Sequence, residues 1–278
     1  MDSLICPVCR SHGVETPLHR EGNSLFCGAG HCFDISRTGS VTFTTPSGDD
    51  SDMVKARTGF LESGAYDAFA MTLAAEIPGR PGLIVDAGCG EGYYTNRFAR
   101  AVGTDAENPK RTEVWGFDLS KAAITHASKA AASTHSGAFF AVAGIFELPV
   151  ASESADVVFS IFAPISDEFS RILKPGGLLV VGAAGKRHLY ELKSAIYDEV
   201  YENEGRRDLA ALSESGMELL RCEKVTYGFT CRGENIKRLF SMTPYYYKTS
   251  KEDAAKLDPI DSLDITADFD IFVYRKRA

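Results

Sequence analysis

The sequence has no apolar run near the roughly 20 residues that a membrane-spanning helix needs. No targeting segment is visible at either end, so a cytoplasmic protein that contacts no membrane is expected. There is no internal repeat, which excludes a solenoid array. Positive charge is scarce: 30 Lys and Arg stand against 38 Asp and Glu, a net charge of −8 at pH 7. Nucleic-acid binding draws on phosphate neutralisation, so a uniformly basic RNA-coating surface is excluded. What remains is a small-molecule substrate, which the acidic balance favours, or a local basic surface. Lys55, Arg57, Lys186, Arg187, Lys237 and Arg238 are available for the latter.

The most informative stretch is Leu83-Ile84-Val85-Asp86-Ala87-Gly88-Cys89-Gly90-Glu91-Gly92-Tyr93-Tyr94. An apolar run, an acid and three alternate glycines lead into helix-like sequence. This is how a first parallel strand runs into a nucleotide-binding turn, where glycine lets the backbone come close to a ligand. The spacing separates two cofactors. A dinucleotide turn is G-x-G-x-x-G and seats a pyrophosphate on the helix N-terminus. Here Gly88, Gly90 and Gly92 give G-x-G-x-G, with Asp86 two residues ahead. A carboxylate there suits a cation, and S-adenosylmethionine carries a positive amino group and sulfonium.

The rest of the chain supports that reading. Residues 114–120 form a second buried strand ending in Asp118, which lies 32 residues after Asp86. A carboxylate at that strand end can accept both ribose hydroxyls. An alanine-rich helix follows over 121–133. Residues 156–162 form a central apolar strand and 169–173 a helix, which Lys174-Pro175-Gly176-Gly177 stops before a strand over 178–182. The alternation predicts an α/β fold, an open doubly wound sheet whose ligands bind outside the carboxyl ends of its strands. Helical spacing over 53–77 leads into the first strand, and residues 104–111 read as a surface loop.

A second signal lies at the front. Cys6-Pro7-Val8-Cys9 is followed after 17 residues by Cys27-Gly28-Ala29-Gly30-His31. Two tight knuckles of soft ligands suit tetrahedral zinc. The sequence between them is too short and polar to build a core, and a structural metal supplies on the order of 10 kcal/mol in small modules. His31 is the preferred fourth ligand; the adjacent Cys32 is the alternative. Cys222 and Cys231 fall in strand-like sequence and read as free thiols. At 278 residues the chain divides into a metal-binding domain over 1–45 and a second domain over 46–278, joined by a loop-like linker over 44–52. Separate cores are expected for the two.

Several segments then occur in a specific order: the zinc-ligand spacing, Asn23-Ser24-Leu25-Phe26-Cys27, His31-Cys32-Phe33-Asp34, Asp52-Met53-Val54-Lys55-Ala56-Arg57, Gly90-Glu91-Gly92-Tyr93-Tyr94-Thr95, Phe162-Ala163-Pro164, Arg187-His188-Leu189-Tyr190-Glu191-Leu192-Lys193 and Met242-Thr243-Pro244. Together they resemble the large-subunit (23S) ribosomal RNA guanine-N1 methyltransferases, a family with members that protect bacteria against macrolides such as tylosin. The resemblance runs from Cys6 to the final strand. It implies a class I, Rossmann-like S-adenosylmethionine-dependent methyltransferase domain behind a small N-terminal zinc-binding domain. The implied reaction methylates N1 of one guanine in a 23S rRNA hairpin loop. The implied zinc ligands are Cys6, Cys9, Cys27 and His31. Tyr66, Gly92, Tyr93 and His188 would line the cofactor pocket beside Asp86, Gly88, Gly90 and Asp118.

Guanine N1 carries a proton on the Watson–Crick edge, so the base must be unpaired and presented to a pocket. Phe162-Ala163-Pro164 is the expected target-base pocket: Phe162 would stack on the guanine or else pack the core, and the Ala163 or Ile161 carbonyl would accept from its edge. Glu91, Asp167 and Glu168 are candidate bases by position only. Tyr245-Tyr246-Tyr247 would stack on bases or fill core. Two departures from the family pattern stand out: the segment before Asp52 is acidic, and Ala143-Gly144 replaces the usual adenine-contacting acid. A small-molecule methyltransferase of the same build, a non-catalytic zinc and RNA binding relative, and a homodimer all remain open.

Overall fold

The computed structural model describes residues 2–103, 112–204 and 206–277; the expected surface loop over 104–111 lies outside them. The chain begins with a single helical turn, α1 (Pro7–Arg10), with Pro7 at a position where its missing N–H costs nothing. A hairpin of β1 (Leu18–Glu21) and β2 (Ser24–Cys27) turns through Gly22 at φ +59°, and β3 (Cys32–Asp34) pairs antiparallel with β2. Next, β4 (Val41–Thr42) leaves this small sheet for the main one.

Two helices follow, α2 (Ser51–Leu61) and α3 (Asp67–Ala75). Asp50 caps α2 by accepting from the backbone N–H of Asp52 and Met53. The helical spacing over 53–77 is therefore split in two, and Gly64, at φ +81°, sits in the break. The main alternation is β5 (Leu83–Ala87), α4 (Tyr93–Ala101), β6 (Glu113–Asp118), α5 (Lys121–Thr134), β7 (Phe139–Val142), β8 (Ala155–Ile161), α6 (Glu168–Ile172) and β9 (Leu173–Ala184). Then come α7 (Tyr190–Ile196), α8 (Ala210–Glu214), β10 (Met217–Arg232), α9 (Glu234–Ser241), α10 (Lys251–Ala255) and β11 (Ser262–Lys276).

These strands form one eight-stranded sheet in the order β10-β11-β9-β8-β5-β6-β7-β4. Neighbours from β9 through β4 are parallel, whereas β11 runs antiparallel to both β9 and β10. The order reverses at β5, so the crevice at its carboxyl end is the expected ligand site. Lys174-Pro175-Gly176-Gly177 does more than stop a helix. It is a bulged start to β9, where pairing jumps from Ala155–Leu173 to Val157–Leu178.

Alternate strand residues face two cores. On one face Ile84, Phe159, Val180 and Phe269 pack with Phe69 of α3, Phe98 of α4, Leu192 of α7 and Leu239 of α9. On the other, Leu83, Val85, Val158 and Val181 pack with Phe169 of α6 and Leu212 of α8. Leu4, Cys6, Leu18 and Leu25 belong to this same second core. The separate core expected for the first 45 residues does not form, because that segment is too small to close on itself and buries its apolar face against the sheet. The seam is also polar: Ile5 N–H donates to Pro149 O at 3.0 Å, Arg10 pairs with Glu168, and Glu15 accepts from Ser152 and Arg171. Among the described residues no helix is long and apolar enough to cross a membrane.

Candidate active site and metal centre

A cavity of about 880 Å3 opens at the carboxyl ends of the parallel strands. At its centre lies the glycine turn after β5. Gly88 and Gly90 have φ of +83° and +54°, conformations that L side chains avoid. A Cβ on Gly88 would lie 2.7 Å from the Cβ of Ala163, and one on Gly90 would lie 3.1 Å from an Arg57 nitrogen. Gly92 serves differently. It precedes α4 at φ +78°, and a Cβ there would meet Ala127 and Phe140 within 3 Å, so it permits close helix packing and does not line the cavity.

Asp118 faces the cavity from the end of β6. Its Oδ2 accepts from Gly90 N–H at 3.0 Å and its Oδ1 from Ser120 N–H at 2.8 Å. Burial pushes its pKa up; those two donors and Arg57 pull against it. Asp86, expected to meet the cofactor's charge, does not line the cavity. It is 1 % exposed beneath the turn, and its Oδ2 accepts from the Thr95 hydroxyl at 2.5 Å. Burial raises its pKa to about 7. Tyr93 also points away, its hydroxyl donating to Asp67 at 2.7 Å with the Arg97 guanidinium 3.5 Å from its ring centroid.

The β8 and β9 side of the cavity is aromatic. Tyr66 and His188, far apart in sequence, meet there with Oη 3.0 Å from Nε2. The His188 Nδ1 accepts from Asp268 N–H at 3.3 Å, which places the ring proton on Nε2 and makes Tyr66 its acceptor. Burial pushes the His188 pKa down to about 4, so the ring is neutral. Burial also raises the Tyr66 pKa well above its ordinary value. Phe162, just past β8, has φ +57° and is 45 % exposed in the cavity. Its N–H donates to Gly182 O, and its ring lies between Phe69, His188 and Phe269. A bulky residue held in the left-handed region is an uncommon and strained conformation. Ala163 and Pro164 line the cavity beside it. The Ala163 carbonyl is already taken by Arg206 at 3.1 Å and the Ser160 hydroxyl at 3.4 Å, which leaves it poorly placed to accept from a guanine edge.

Other placements depart from the sequence reading. Arg57, expected on an open phosphate-binding wall, is drawn inward. It pairs with Glu91 and, at 2.6 Å, with Asp49. Glu91 is thereby neutralised as a candidate base. Glu168 is buried and held by Arg10, Arg171 and the Leu148 N–H, and Asp167 accepts from Ser215; neither lines the cavity. Tyr245 packs against Tyr197 and Phe240 at the cavity edge, whereas Tyr247 is 69 % exposed there. The sequence reading missed Phe146, 64 % exposed past the end of β7, and Asn203, Glu204 and Arg206 in an irregular segment. No periodicity or motif marks those residues; only the fold brings them in.

Apart from this cavity, Cys6, Cys9, Cys27 and His31 converge. Their ligand atoms all lie within 4.8 Å of one another. Cys9 Sγ is 3.8 Å from Cys27 Sγ, and the three sulfurs lie 3.3 to 3.5 Å from His31 Nδ1. Tetrahedral zinc at ordinary bond lengths needs edges of about 3.8 Å between sulfurs and about 3.5 Å from sulfur to nitrogen. The donor set fits. Cys32 is exposed on β3 and outside the cluster.

Residues 82–240 match the family described as Methyltransferase domain. A Bacillus subtilis (strain 168) protein, provisionally named a 23S rRNA (guanine-N(1)-)-methyltransferase, is 31 % identical over 98 % of this chain and 96 % of its own length. The Streptomyces fradiae 23S rRNA (guanine(748)-N(1))-methyltransferase is 35 % identical over 69 % of this chain and 67 % of its own. Among solved structures, the [4+2]-cyclase SpnF aligns with a TM-score of 0.52 at 16 % identity, covering 82 % of this chain and 95 % of that one, and shares the fold alone. The expected Rossmann-like architecture and the resemblance stated from the motifs therefore agree with these findings: the chain belongs to the 23S rRNA guanine-N1-methyltransferase family of S-adenosylmethionine-dependent methyltransferases.

Proposed function

We propose that this enzyme methylates N1 of a guanine in a hairpin loop of 23S rRNA, in the cytoplasm, with zinc held by Cys6, Cys9, Cys27 and His31 in a domain over 1–45 that docks on a catalytic domain over 46–278. The observation that carries the reading is Phe162. Its ring packs on one side against Phe69, His188 and Phe269, and a backbone conformation that costs free energy leaves the residue 45 % exposed in the same cavity as the glycine turn. An unpaired base stacking on that ring would lie against the Gly88–Ala163 contact, where the cofactor end and the acceptor end of the cavity meet. The names of the relatives from Bacillus subtilis and Streptomyces fradiae point to the same substrate.

The cavity also fits the methyl donor. Gly88 and Gly90 leave a cradle that a Cβ would fill, and Asp118 presents a carboxylate at the ribose position. With no acid at Ala143-Gly144, we assign the adenine to the apolar pair Ile145 and Phe146 and to backbone groups. Tyr66 receives its hydrogen bond from His188, so its own hydroxyl proton is free to donate into the cavity toward a carboxylate. When bound, S-adenosylmethionine supplies an electrophilic methyl group on a sulfonium. Lys186 and Arg187, exposed beyond β9, are the cations placed to meet phosphates on the acceptor side.

Methylation of 23S rRNA transcripts with labelled methyl donor, followed by mapping of the modified base, tests the reading. It predicts label on N1 of one guanine and RNA affinity that falls with salt. A small-molecule methyltransferase would show neither. Absence of RNA binding at low salt together with unlabelled transcripts would overturn it.

A further inference from the structure

We propose that Arg57 binds the carboxylate at the methionine end of S-adenosylmethionine, an assignment that rests on the methyl-donor reading of the cavity above. One face of α2 lines that cavity, because Met53, Arg57 and Leu61 recur at i, i+4 and i+8. The segment ahead of the helix pins this face over the glycine turn. Ser47 N–H donates to Leu119 O at 3.0 Å, the Ser120 hydroxyl donates to Asp49 O at 2.6 Å, and Asp50 caps the helix. Arg57 is then held from two sides. Its Nε donates to Glu91, within the turn, and its Nη1 donates to Asp49 at 2.6 Å.

Those two bonds leave Nη2, which donates to no group among the described residues. The position of that nitrogen is fixed. It lies 3.1 Å from the point where a Cβ on Gly90 would stand, so it overhangs the bare backbone of the cradle. Gly90 N–H is bonded in turn to Asp118, the carboxylate at the ribose position, at 3.0 Å. Nη2 and the ribose acceptor therefore flank one residue of the turn. A guanidinium has donors only, so it cannot take the ammonium or the sulfonium of the methyl donor. Of that ligand's charged groups, the carboxylate alone accepts. The cationic side chains lining the cavity, among the described residues, are Arg57 and Arg206; His188 is neutral. Arg206 is forked onto Asp208 and holds Ala163 O, on the Phe162 side. Arg57 is the cation over the glycines. Fixed by two carboxylates before any ligand arrives, its planar fork has little freedom left to lose on binding. Arg57, Asp49 and Glu91 together carry a formal charge of about −1, which suits a ligand whose sulfonium and ammonium outnumber its carboxylate.

The test compares two ligands by calorimetry on the full chain without RNA. They are S-adenosylhomocysteine and its decarboxylated counterpart, which keeps the adenosine, the sulfur and the amine. Wild type should prefer the first by at least about tenfold, the usual worth of a charge-assisted hydrogen bond. Arg57→Lys keeps a counter-charge for Glu91 and Asp49 but loses Nη2. It should weaken S-adenosylhomocysteine by about tenfold and leave the decarboxylated ligand within about twofold. The double variant Arg57→Gln/Glu91→Gln, which strands no buried charge, should do the same. Because the readout is a ratio within one protein, a general loosening of the fold moves both ligands together. Equal binding of the two ligands by wild type would overturn the assignment. So would variants that weaken both ligands alike, which is what a residue that only shapes the turn, or one that meets the ribose, gives. If wild type binds neither ligand, the methyl-donor reading falls, and this assignment with it. Unlabelled transcripts alongside the expected ligand ratios would sink the RNA reading and leave Arg57 in its role.

Discussion

Tyr66 Oη and His188 Nε2 lie 3.0 Å apart, and the direction of that hydrogen bond is fixed by the Asp268 N–H on the far side of the imidazole. The Asp268 N–H bond to Nδ1 can hold only while His188 is neutral, because a protonated Nδ1 can no longer accept. Unfolded, His188 takes its ordinary pKa of 6.5; folded, burial depresses it to about 4. The unfolded state therefore binds the proton first as pH falls. Stability from this site is present above pH 6.5 and is lost toward pH 4, by up to about 3 kcal/mol. Urea denaturation of His188→Asn should show a flatter stability profile across that window. An equally steep profile in the variant would assign the acid sensitivity elsewhere.

Calorimetry should find S-adenosylmethionine and S-adenosylhomocysteine bound and NAD ignored. Gly90→Val should weaken both ligands at least about tenfold, since a β-branched residue is strained at φ +54° and its Cβ crowds the Arg57 guanidinium. Circular dichroism should show the sheet intact.

Arg57→Ala should destabilise the fold by about 3 kcal/mol, because it strands Glu91, which is 6 % exposed, without a counter-charge. Reversing the exposed Arg187 should leave stability near wild type and make the salt dependence of RNA binding shallower. Equal behaviour of the two variants in urea titrations would refute this division of roles.

Elemental analysis should find one zinc per chain, lost in Cys9→Ser and His31→Ala and kept in Cys32→Ser. Because Leu4, Cys6, Leu18 and Leu25 share a core with Leu83, Val85 and Val158, loss of the metal should lower the melting temperature of the whole protein. A separate early transition confined to the N-terminal segment would contradict the shared core.

Phe162→Gly should relieve backbone strain of about 1 kcal/mol and yet lower kcat/KM on rRNA, since base–aromatic stacking contributes about 1–3 kcal/mol. A variant more stable and equally active would show that the ring has no substrate to stack on.

How much was legible in the sequence follows from which interactions are local. Gly88, Gly90 and Asp118 come together at the cavity within one β-α-β passage, and the Cys-x2-Cys and Cys-x3-His knuckles form in short turns, so spacing alone was enough to single them out. Asp86 was misplaced because its spacing to the glycines says nothing about which side of the turn its carboxylate takes; burial against Thr95 decides that. Arg57 looked like a surface cation because its partners, Asp49 and Glu91, approach only after α2 folds across the glycine turn. Asn203, Glu204 and Arg206 had no periodicity to announce them, and contacts with Gly185, His188 and Ala163 bring them to the cavity.

The two-residue strand β4 has a consequence for how the chain is made. It pairs with Ala141 and Val142, and the segment ahead of it docks on Pro149, Val150 and Glu168, all roughly a hundred or more residues further along. A ribosome delivers the cysteine knuckles long before it delivers those partners. During that interval the proposed metal would hold the Cys6, Cys9, Cys27 and His31 cluster together, and the finished sheet must then recruit β4 as its outermost strand. Metal supply during synthesis should thus govern the yield of folded enzyme more strongly than metal supply afterwards.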